Sequence, residues 1–247
     1  MVGEWSETTV GTPQGAVISP LLANVFLHDV FDLWIESWRK NRSHGDVVVI
    51  RYADDFVIGF ERQADAERCL EDLRNRSAKF GLKFHKDKTR LIEFGRYAAR
   101  NRKSRGEGRP ETFDFLGFTH RCDVTSRGRF ALRRATIAKR LRATIAVIKV
   151  KSIQQRHWPI DAVGKWLRRV CQGWLNYQAI PGNLERMTQF LDEVKTLWLA
   201  QLRRRSQRHR MGWSRFTRII ARYLPLPQTV HPFPSVRFRT RLKAGAV

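Results

Sequence analysis

Residues 47–60 read VVVIRYADDFVIGF. The β-branched and aromatic residues at 47–50 and 56–60 predict two strands, and residues 52–55 predict a tight turn between them. Adjacent carboxylates, Asp54 and Asp55, are costly beside a hydrophobic sheet unless a cation compensates them. Oxygen ligands on a rigid support suit Mg²⁺, so the stretch predicts a two-metal phosphoryl or nucleotidyl transfer site. Taken alone, a solvated turn is the alternative, because Asp is common in turns.

Charge is distributed very unevenly along the 247 residues, which suffice for one large or two smaller domains. Residues 1–120 hold 19 Lys/Arg and 18 Asp/Glu, whereas residues 121–247 hold 28 Lys/Arg and only 5 Asp/Glu. Such a bias predicts a polyanionic partner. RNA or DNA is favoured over a membrane, because there is no isolated basic amphipathic segment and no lipidation motif.

The cysteines and the N-terminal residues indicate the cellular compartment. Cys69, Cys122 and Cys171 are widely spaced and form no CxxC pair, so neither a disulfide framework nor a structural zinc site is expected. Residues 1–15 are polar and do not resemble a signal peptide, and no apolar run approaches the ~20 residues of a membrane span. We therefore expect a cytoplasmic protein.

Local patterns predict mixed secondary structure in the first half. The Gly- and Pro-containing residues 11–20 predict a shaped loop, with Ser19 as the N-cap of a helix. Apolar periodicity predicts helices over 21–38 and 64–80, the second ended by Gly81. The remaining segments are predicted as short strands at 82–84, 91–94 and 113–118 and a flexible basic loop at 96–111.

The second half is predicted to be helical. Three amphipathic segments near 133–155, 160–179 and 184–207 each carry an apolar stripe and a basic face. Four prolines after Leu224 favour an extended tail. We therefore predict an α+β chain with a mixed domain at 1–120, a helical domain at 121–210 and a basic tail at 211–247.

Several motifs occur together in a fixed order. They are GTPQG at 11–15, ISPLLAN at 18–24, YADD at 52–55, KT at 88–89 followed by FG at 94–95, and FLGF at 115–118. In order and spacing the chain resembles the reverse transcriptase/maturase encoded by group II introns of bacteria and organelles. The resemblance covers nearly the whole chain. It implies a partial palm, made of a short antiparallel sheet with helices, followed by a three-helix thumb, which is the maturase region.

The resemblance also implies catalytic roles. Asp54 and Asp55 would be the catalytic Mg²⁺ ligands, Asp54 the firmer of the two, and Lys88 would neutralise or protonate the departing pyrophosphate unless it is a solvated loop lysine. Residues 115–118 would support the primer, although core packing is an alternative. The residues implied to contact nucleotide or template-primer are Gly11, Gln14, Gly15, Tyr52, Ala53, Leu116 and Gly117.

One departure from the family concerns the third carboxylate. Members carry a first palm strand with its own aspartate well before the GTPQG loop, whereas ten residues precede Gly11 here. Asp29 and Asp32 follow the loop on a helix and cannot replace that aspartate. We therefore expect an N-terminally truncated copy, or half of a split protein, that lacks the fingers and is a poor or inactive polymerase by itself.

The basic half is implied to grip intron RNA, although any single charged cluster can also be a solvated helix face. Five tryptophans, Trp158, Trp166, Trp174, Trp198 and Trp213, are expected in the core more than in base stacking. Tyr177 and Asn183 either contact RNA or form a structural turn. The predicted RNA-binding residues are Arg133, Arg134, Lys139, Arg140, Arg142, Lys165, Arg168, Arg169, Arg203, Arg204 and Arg205.

The function expected is therefore that of an RNA-directed DNA polymerase and maturase. The expected partners are group II intron RNA, an RNA template with a DNA primer, dNTP, and a separate N-terminal fragment. The alternative is a non-catalytic RNA-binding maturase that stabilises folded intron RNA. A degenerate, unfolded remnant is a third possibility. Endonuclease activity is not expected, because the paired His and Cys residues of such domains are missing.

Overall fold

The computed structural model describes residues 18–85, 88–205 and 211–233. The chain divides into two compact units, residues 1–92 and 93–247. The first contains a long helix, a hairpin and a second helix, and the second contains a three-stranded sheet and a helical bundle. The predicted α+β class is confirmed. None of the helices in the described ranges is long and apolar enough to cross a membrane.

The described part of the first unit begins with one helical rod of three parts. These are α1 (Ser19–Leu27), a π-helical turn (His28–Asp32) and α2 (Leu33–Asn41). The predicted helix at 21–38 is thus confirmed, although periodicity did not reveal the π-helical turn. Pro20 lies in the first turn as expected, but the N-cap is Ile18 and Ser19 is already helical.

The hairpin of the first unit is tighter than predicted. Strand β1 (Val47–Tyr52) pairs antiparallel with β2 (Asp55–Phe60), and Tyr52 lies opposite Asp55. The turn therefore has two central residues instead of four, and Asp55 belongs to a strand. One sheet face packs on the helical rod and on α3 (Gln63–Lys79), with a core of Phe31, Ile35, Trp38, Val47, Cys69 and Leu73.

The segment after α3 only partly follows the predictions. Gly81 has a φ of 71° and ends the helix as expected, and the Leu82 N–H donates to the Ser77 carbonyl at 3.0 Å. The strands predicted at 82–84 and 91–94 do not form. These segments are irregular, and their apolar side chains pack against neighbouring residues. Phe84, for example, makes an edge contact with Phe56, with ring centroids 6.2 Å apart.

The second unit begins where a flexible loop was predicted. Helix α4 (Ala98–Ser104) forms within it, and Arg105 bridges Glu93 at 2.5 Å and Glu107 at 2.6 Å. Local charge pairing therefore orders this basic segment. The prediction of a flexible loop was wrong because opposite charges close in sequence can pair.

A sheet in the order β3-β4-β5 follows, formed by Phe113–Phe115, Phe118–Val124 and Phe130–Thr136. The predicted strand at 113–118 is instead a hairpin around Leu116 and Gly117, whose φ values are 48° and 84°. Two positive φ values with two central residues define a type I′ turn. The domain boundary predicted at residue 120 would cut β4, so the sheet belongs with the helices that follow.

Four helices complete the second unit: α5 (Ala138–Gln154), α6 (Ile160–Gln178), α7 (Leu184–Arg203) and α8 (Trp213–Tyr223). The helix predicted from 133 begins later, because residues 130–136 form β5. Residues 213–223 are a helix, and not the tail predicted there, because Phe216 is fully buried in the core with Trp198. Gly164 allows this packing, since a Cβ there would lie 2.6 Å from the Tyr223 ring.

A buried polar cluster joins the sheet to the bundle. The Asn183 side-chain oxygen accepts from the Thr136 N–H at 2.9 Å, and its nitrogen donates to the Thr136 hydroxyl at 2.8 Å. The Thr136 hydroxyl also donates to Gln178 Oε1 at 2.7 Å. All three residues are buried, so these bonds fix the end of β5 against α6 and the start of α7.

Candidate catalytic hairpin and nucleic-acid interface

The β1–β2 turn presents two carboxylates to solvent. Asp54 is a central residue of the turn and Asp55 begins β2, and both are exposed. Neither side chain has a hydrogen bond or ion pair with another residue of the described ranges. Adjacent, unpaired oxygen donors on a hydrogen-bonded hairpin fit a hard divalent cation such as Mg²⁺.

The hairpin register decides which side chains share a face. Tyr52 and Asp55 are directly opposite, and the alternation of strands places them on the outer face with Ile50. Tyr52 is 64% exposed and Ile50 is 52% exposed. The outer face beside the carboxylates is thus an open apolar surface.

The opposite face carries a partly buried arginine. Arg51 pairs with Asp32 of the π-helical turn through Nε–Oδ1 at 2.7 Å and Nη2–Oδ2 at 2.6 Å. Its Nη1 donates to the Ala53 carbonyl at 2.8 Å and to Asn24 Oδ1 at 2.9 Å. The hydrogen bond from Arg51 lowers the pKa of Asp32 and outweighs the opposing effect of burial. Asp32 is therefore committed to Arg51.

Ala53 lies in the left-handed region, with a φ of 54°. This conformation costs an L-residue about 1 kcal/mol. Backbone strain of this kind persists where surrounding contacts hold it, and here the contact is the Arg51 bond to the Ala53 carbonyl.

A three-ligand cluster is not found. Within residues 18–85, 88–205 and 211–233, no three His, Cys, Asp or Glu side chains are grouped so that they could hold a metal ion. Asp54 and Asp55 thus supply two carboxylates by themselves.

Other predicted site residues of the first half are less defined. Lys88 is exposed, and its N–H donates to the His85 carbonyl at 3.1 Å within a turn. Gly11, Gln14 and Gly15 lie outside the described residues. Their predicted contacts with nucleotide and template-primer stay predictions.

The Leu116–Gly117 turn is held by α6 of the same unit. The Tyr177 hydroxyl donates to the Leu116 carbonyl at 2.8 Å, and its ring stacks on Phe118 with centroids 5.7 Å apart. A Cβ on Gly117 would lie 2.9 Å from Nη1 of Arg140. Glycine at 117 therefore lets the side chain of Arg140 lie against the turn.

The predicted RNA-binding cations fall into two groups. Those on the helices, and Arg204 directly after α7, are exposed: Lys139, Arg140, Arg142, Lys165, Arg168, Arg169, Arg203 and Arg204. Arg133 and Arg134 lie in β5 instead of a helix, and Arg133 is paired with Asp123 at 2.7 Å. Arg134 and Arg205 are partly buried, and burial lowers the pKa of both. These two are thus less available to a ligand than expected.

Three of the five acidic residues of the second half are paired with cations. Asp123 pairs with Arg133, Asp161 with Lys165 at 2.7 Å, and Asp192 with Lys195 at 2.8 Å. Asp161 also accepts a 2.7 Å hydrogen bond from Tyr223. Because 28 cations face only 5 acids over residues 121–247, most of the positive charge has no internal counter-charge.

The tryptophans divide between core and surface. Trp198 is 1% exposed, and Trp174 stacks on Phe190 with centroids 3.9 Å apart. Trp158 and Trp213 are 54% and 63% exposed, so the prediction that they lie in the core was wrong. Trp158 follows the end of α5, and Trp213 is the first residue of α8.

Tyr177 and Asn183 were each predicted either to contact RNA or to form a structural turn, and their burial distinguishes the two roles. Asn183 is 0% exposed and all of its described contacts are internal, so it forms a structural turn. Tyr177 is 54% exposed and retains a surface that a ligand can reach.

The thiols offer no reactive nucleophile in the cores. Burial raises the pKa of Cys69 and of Cys171 to about 12. Both stay protonated near neutral pH and behave as small apolar side chains.

Comparison with known families agrees with the hairpin. Residues 2–120 match the family model described as reverse transcriptase (RNA-dependent DNA polymerase). This part of the chain, which includes the YADD hairpin and the Leu116–Gly117 turn, is therefore similar to a reverse transcriptase domain. Residues 121–247 lie outside the match. No curated protein matches the chain significantly.

Proposed function

We propose that the chain is the palm and thumb part of a group II intron reverse transcriptase/maturase. Its reaction is RNA-templated DNA synthesis from dNTPs. The observation that carries the proposal is the exposed Asp54–Asp55 pair on a hairpin within the segment that matches reverse transcriptases.

Asp54 and Asp55 would hold Mg²⁺ and place it beside the primer end. Mg²⁺ held by these two carboxylates would supply Lewis acidity toward the primer 3′-hydroxyl and positive charge for the phosphates that leave. The small Ala53 leaves room for the primer terminus, and Lys88 balances charge on the departing pyrophosphate. Catalysis of this type depends on positioning and charge neutralisation.

Within the described residues, no third carboxylate is grouped with Asp54 and Asp55. Extension by the chain is then expected to stay near background with Mg²⁺, dNTPs and a primed RNA template. Adding a fragment with the fingers and first palm strand of a related enzyme should raise extension. Robust extension without that fragment would show that the chain polymerises without a third carboxylate from the added fragment.

The same assay tests the hairpin. In the reconstituted form, Asp54→Asn should abolish extension and leave RNA binding nearly intact. Asp46→Asn is the matched control, because Asp46 is also exposed and lies at the other end of the hairpin. Loss of extension and RNA binding together in Asp54→Asn would assign the aspartate a structural role.

The runner-up is a non-catalytic maturase that stabilises folded intron RNA. The uncompensated positive charge of residues 121–247 favours it, since RNA binding needs no complete metal site. For both functions, affinity for structured RNA should fall steeply between about 50 mM and about 500 mM salt. Equal binding at both concentrations would contradict the electrostatic account. Intron splicing stimulated by the chain, with extension still at background in the reconstituted form, would favour the runner-up.

A further inference from the structure

We propose that Arg51, held by Asp32, is a positioning residue that orients the Ala53–Asp54 peptide so that Asp54 and Asp55 can bind a divalent cation. This inference rests on the proposed function of the hairpin.

The first argument is the number of bonds made by one side chain. Arg51 uses four of its five N–H groups, two toward Asp32, one toward Asn24 and one toward the Ala53 carbonyl. Its side chain is only 16% exposed. A solvated strand arginine would not be held on several sides in this way.

The second argument concerns what the bond to Ala53 restrains. The Ala53 carbonyl and the Asp54 nitrogen belong to one planar peptide group. Holding that carbonyl at 2.8 Å from Arg51 therefore restrains the plane from which the Asp54 side chain departs. It also opposes relaxation of Ala53 from its φ of 54°.

The third argument is electrostatic. An unpaired guanidinium beside two metal-binding carboxylates would compete with a cation for them. Asp32 takes up that charge through a two-pronged pair, and Arg51 lies on the sheet face opposite Asp55. The planar fork allows Arg51 to serve Asp32 and the turn at once, which the single ammonium of lysine cannot do.

The test measures metal binding without catalysis. The full chain is titrated with Tb³⁺, an oxygen-seeking stand-in for Mg²⁺, and luminescence is excited through aromatic residues such as Tyr52. Asp54→Asn should lose most of the signal. Arg51→Lys should weaken Tb³⁺ binding roughly tenfold, as loss of a group that orients a metal ligand commonly does. Asp32→Asn should also weaken it and carries the test if Arg51→Lys does not fold.

Two controls separate positioning from loss of stability. Arg39→Lys alters another arginine–carboxylate pair, with Glu36 at 2.8 Å, that is far from the turn in sequence. Leu73→Ala lowers stability through the core of the same unit. Both should bind Tb³⁺ as wild type does in the folded state, which is verified by circular dichroism.

The outcomes are distinct. If Asp54→Asn binds Tb³⁺ normally, the metal assignment and the positioning role are both wrong. If Asp54→Asn loses binding while Arg51→Lys and Asp32→Asn match Leu73→Ala, the positioning role alone is overturned and the proposed function stands.

Discussion

The Tyr177 hydroxyl on α6 donates a 2.8 Å hydrogen bond to the Leu116 carbonyl in the β3–β4 turn. Leu116 has a φ of 48°, which costs a leucine free energy that its contacts must offset. The bond joins residues 61 positions apart. It thereby ties the turn predicted to support a primer to the helical bundle.

Removing this hydroxyl should loosen the turn. Tyr177→Phe keeps the ring that stacks on Phe118 and is expected to lower the free energy of unfolding by about 1 kcal/mol. Urea denaturation measures the change. Tyr97→Phe is the control, because Tyr97 is exposed and its hydroxyl has no hydrogen bond within the described ranges. Equal stabilities of the two variants would show that the turn does not depend on Tyr177.

Asn183 should affect folding and not RNA binding. Asn183→Ala leaves the buried Thr136 N–H without its acceptor and removes two donated bonds, so a loss of about 3 kcal/mol is expected. The folded fraction should bind RNA like wild type. Asn41→Ala, which removes one exposed side-chain bond, should change stability little. A large loss of RNA affinity with unchanged stability would return Asn183 to the interface.

Arg142 and Arg133 should contribute differently to the salt dependence of RNA binding. Arg142 is exposed and has no acidic partner in the described part of the chain, whereas Arg133 is paired with Asp123. Arg142→Gln should reduce the slope of log affinity against log salt by about 1 if it contacts a phosphate. Arg133→Gln should reduce it less, because Asp123 already offsets its charge. Fluorescence anisotropy with a folded RNA measures both slopes, and a larger effect of Arg133→Gln would reject this ranking.

Acid should destabilise the first unit partly through Asp65. Burial favours a higher pKa for this carboxyl, but hydrogen bonds from the His44 and Gly45 N–H groups, Arg68 and the His44 ring lower it from 3.8 to about 2. The unfolded chain therefore binds more protons between these values, so the stabilisation is complete above pH 3.8 and is lost as pH falls toward about 2.

This pH dependence can be isolated by substitution. Asp65→Asn should unfold more easily near neutral pH and should lose less further stability on acidification than wild type. Asp114→Asn is the control, because Asp114 is exposed in the other unit. Thermal unfolding between pH 7 and pH 2 gives both curves, and parallel curves for Asp65→Asn and wild type would remove Asp65 from the acid response.

Local pattern predicted much of the secondary structure, and the exceptions have local causes. The helices α3, α6 and α7 match the predicted ranges closely because an amphipathic period survives in any tertiary context. Helix α8 also buries residues at helical spacing, Phe216 and Tyr223, but the four prolines after Leu224 had favoured an extended tail. The Leu116–Gly117 turn was missed because leucine is rare where a type I′ turn requires positive φ.

The sequence by itself determined that this chain has a carboxylate-tipped hairpin and a strongly basic helical half. Charge counts, strand alternation and motif order are properties of neighbouring residues, so they can be read without coordinates. Only the tertiary structure decided which charged side chains are free to contact a ligand and which are paired within the protein. Arg51 is bound to Asp32, Arg133 to Asp123, and Asn183 is enclosed by Thr136 and Gln178. Folding brings these partners together across strands, helices and turns, and local sequence patterns do not show which groups will meet.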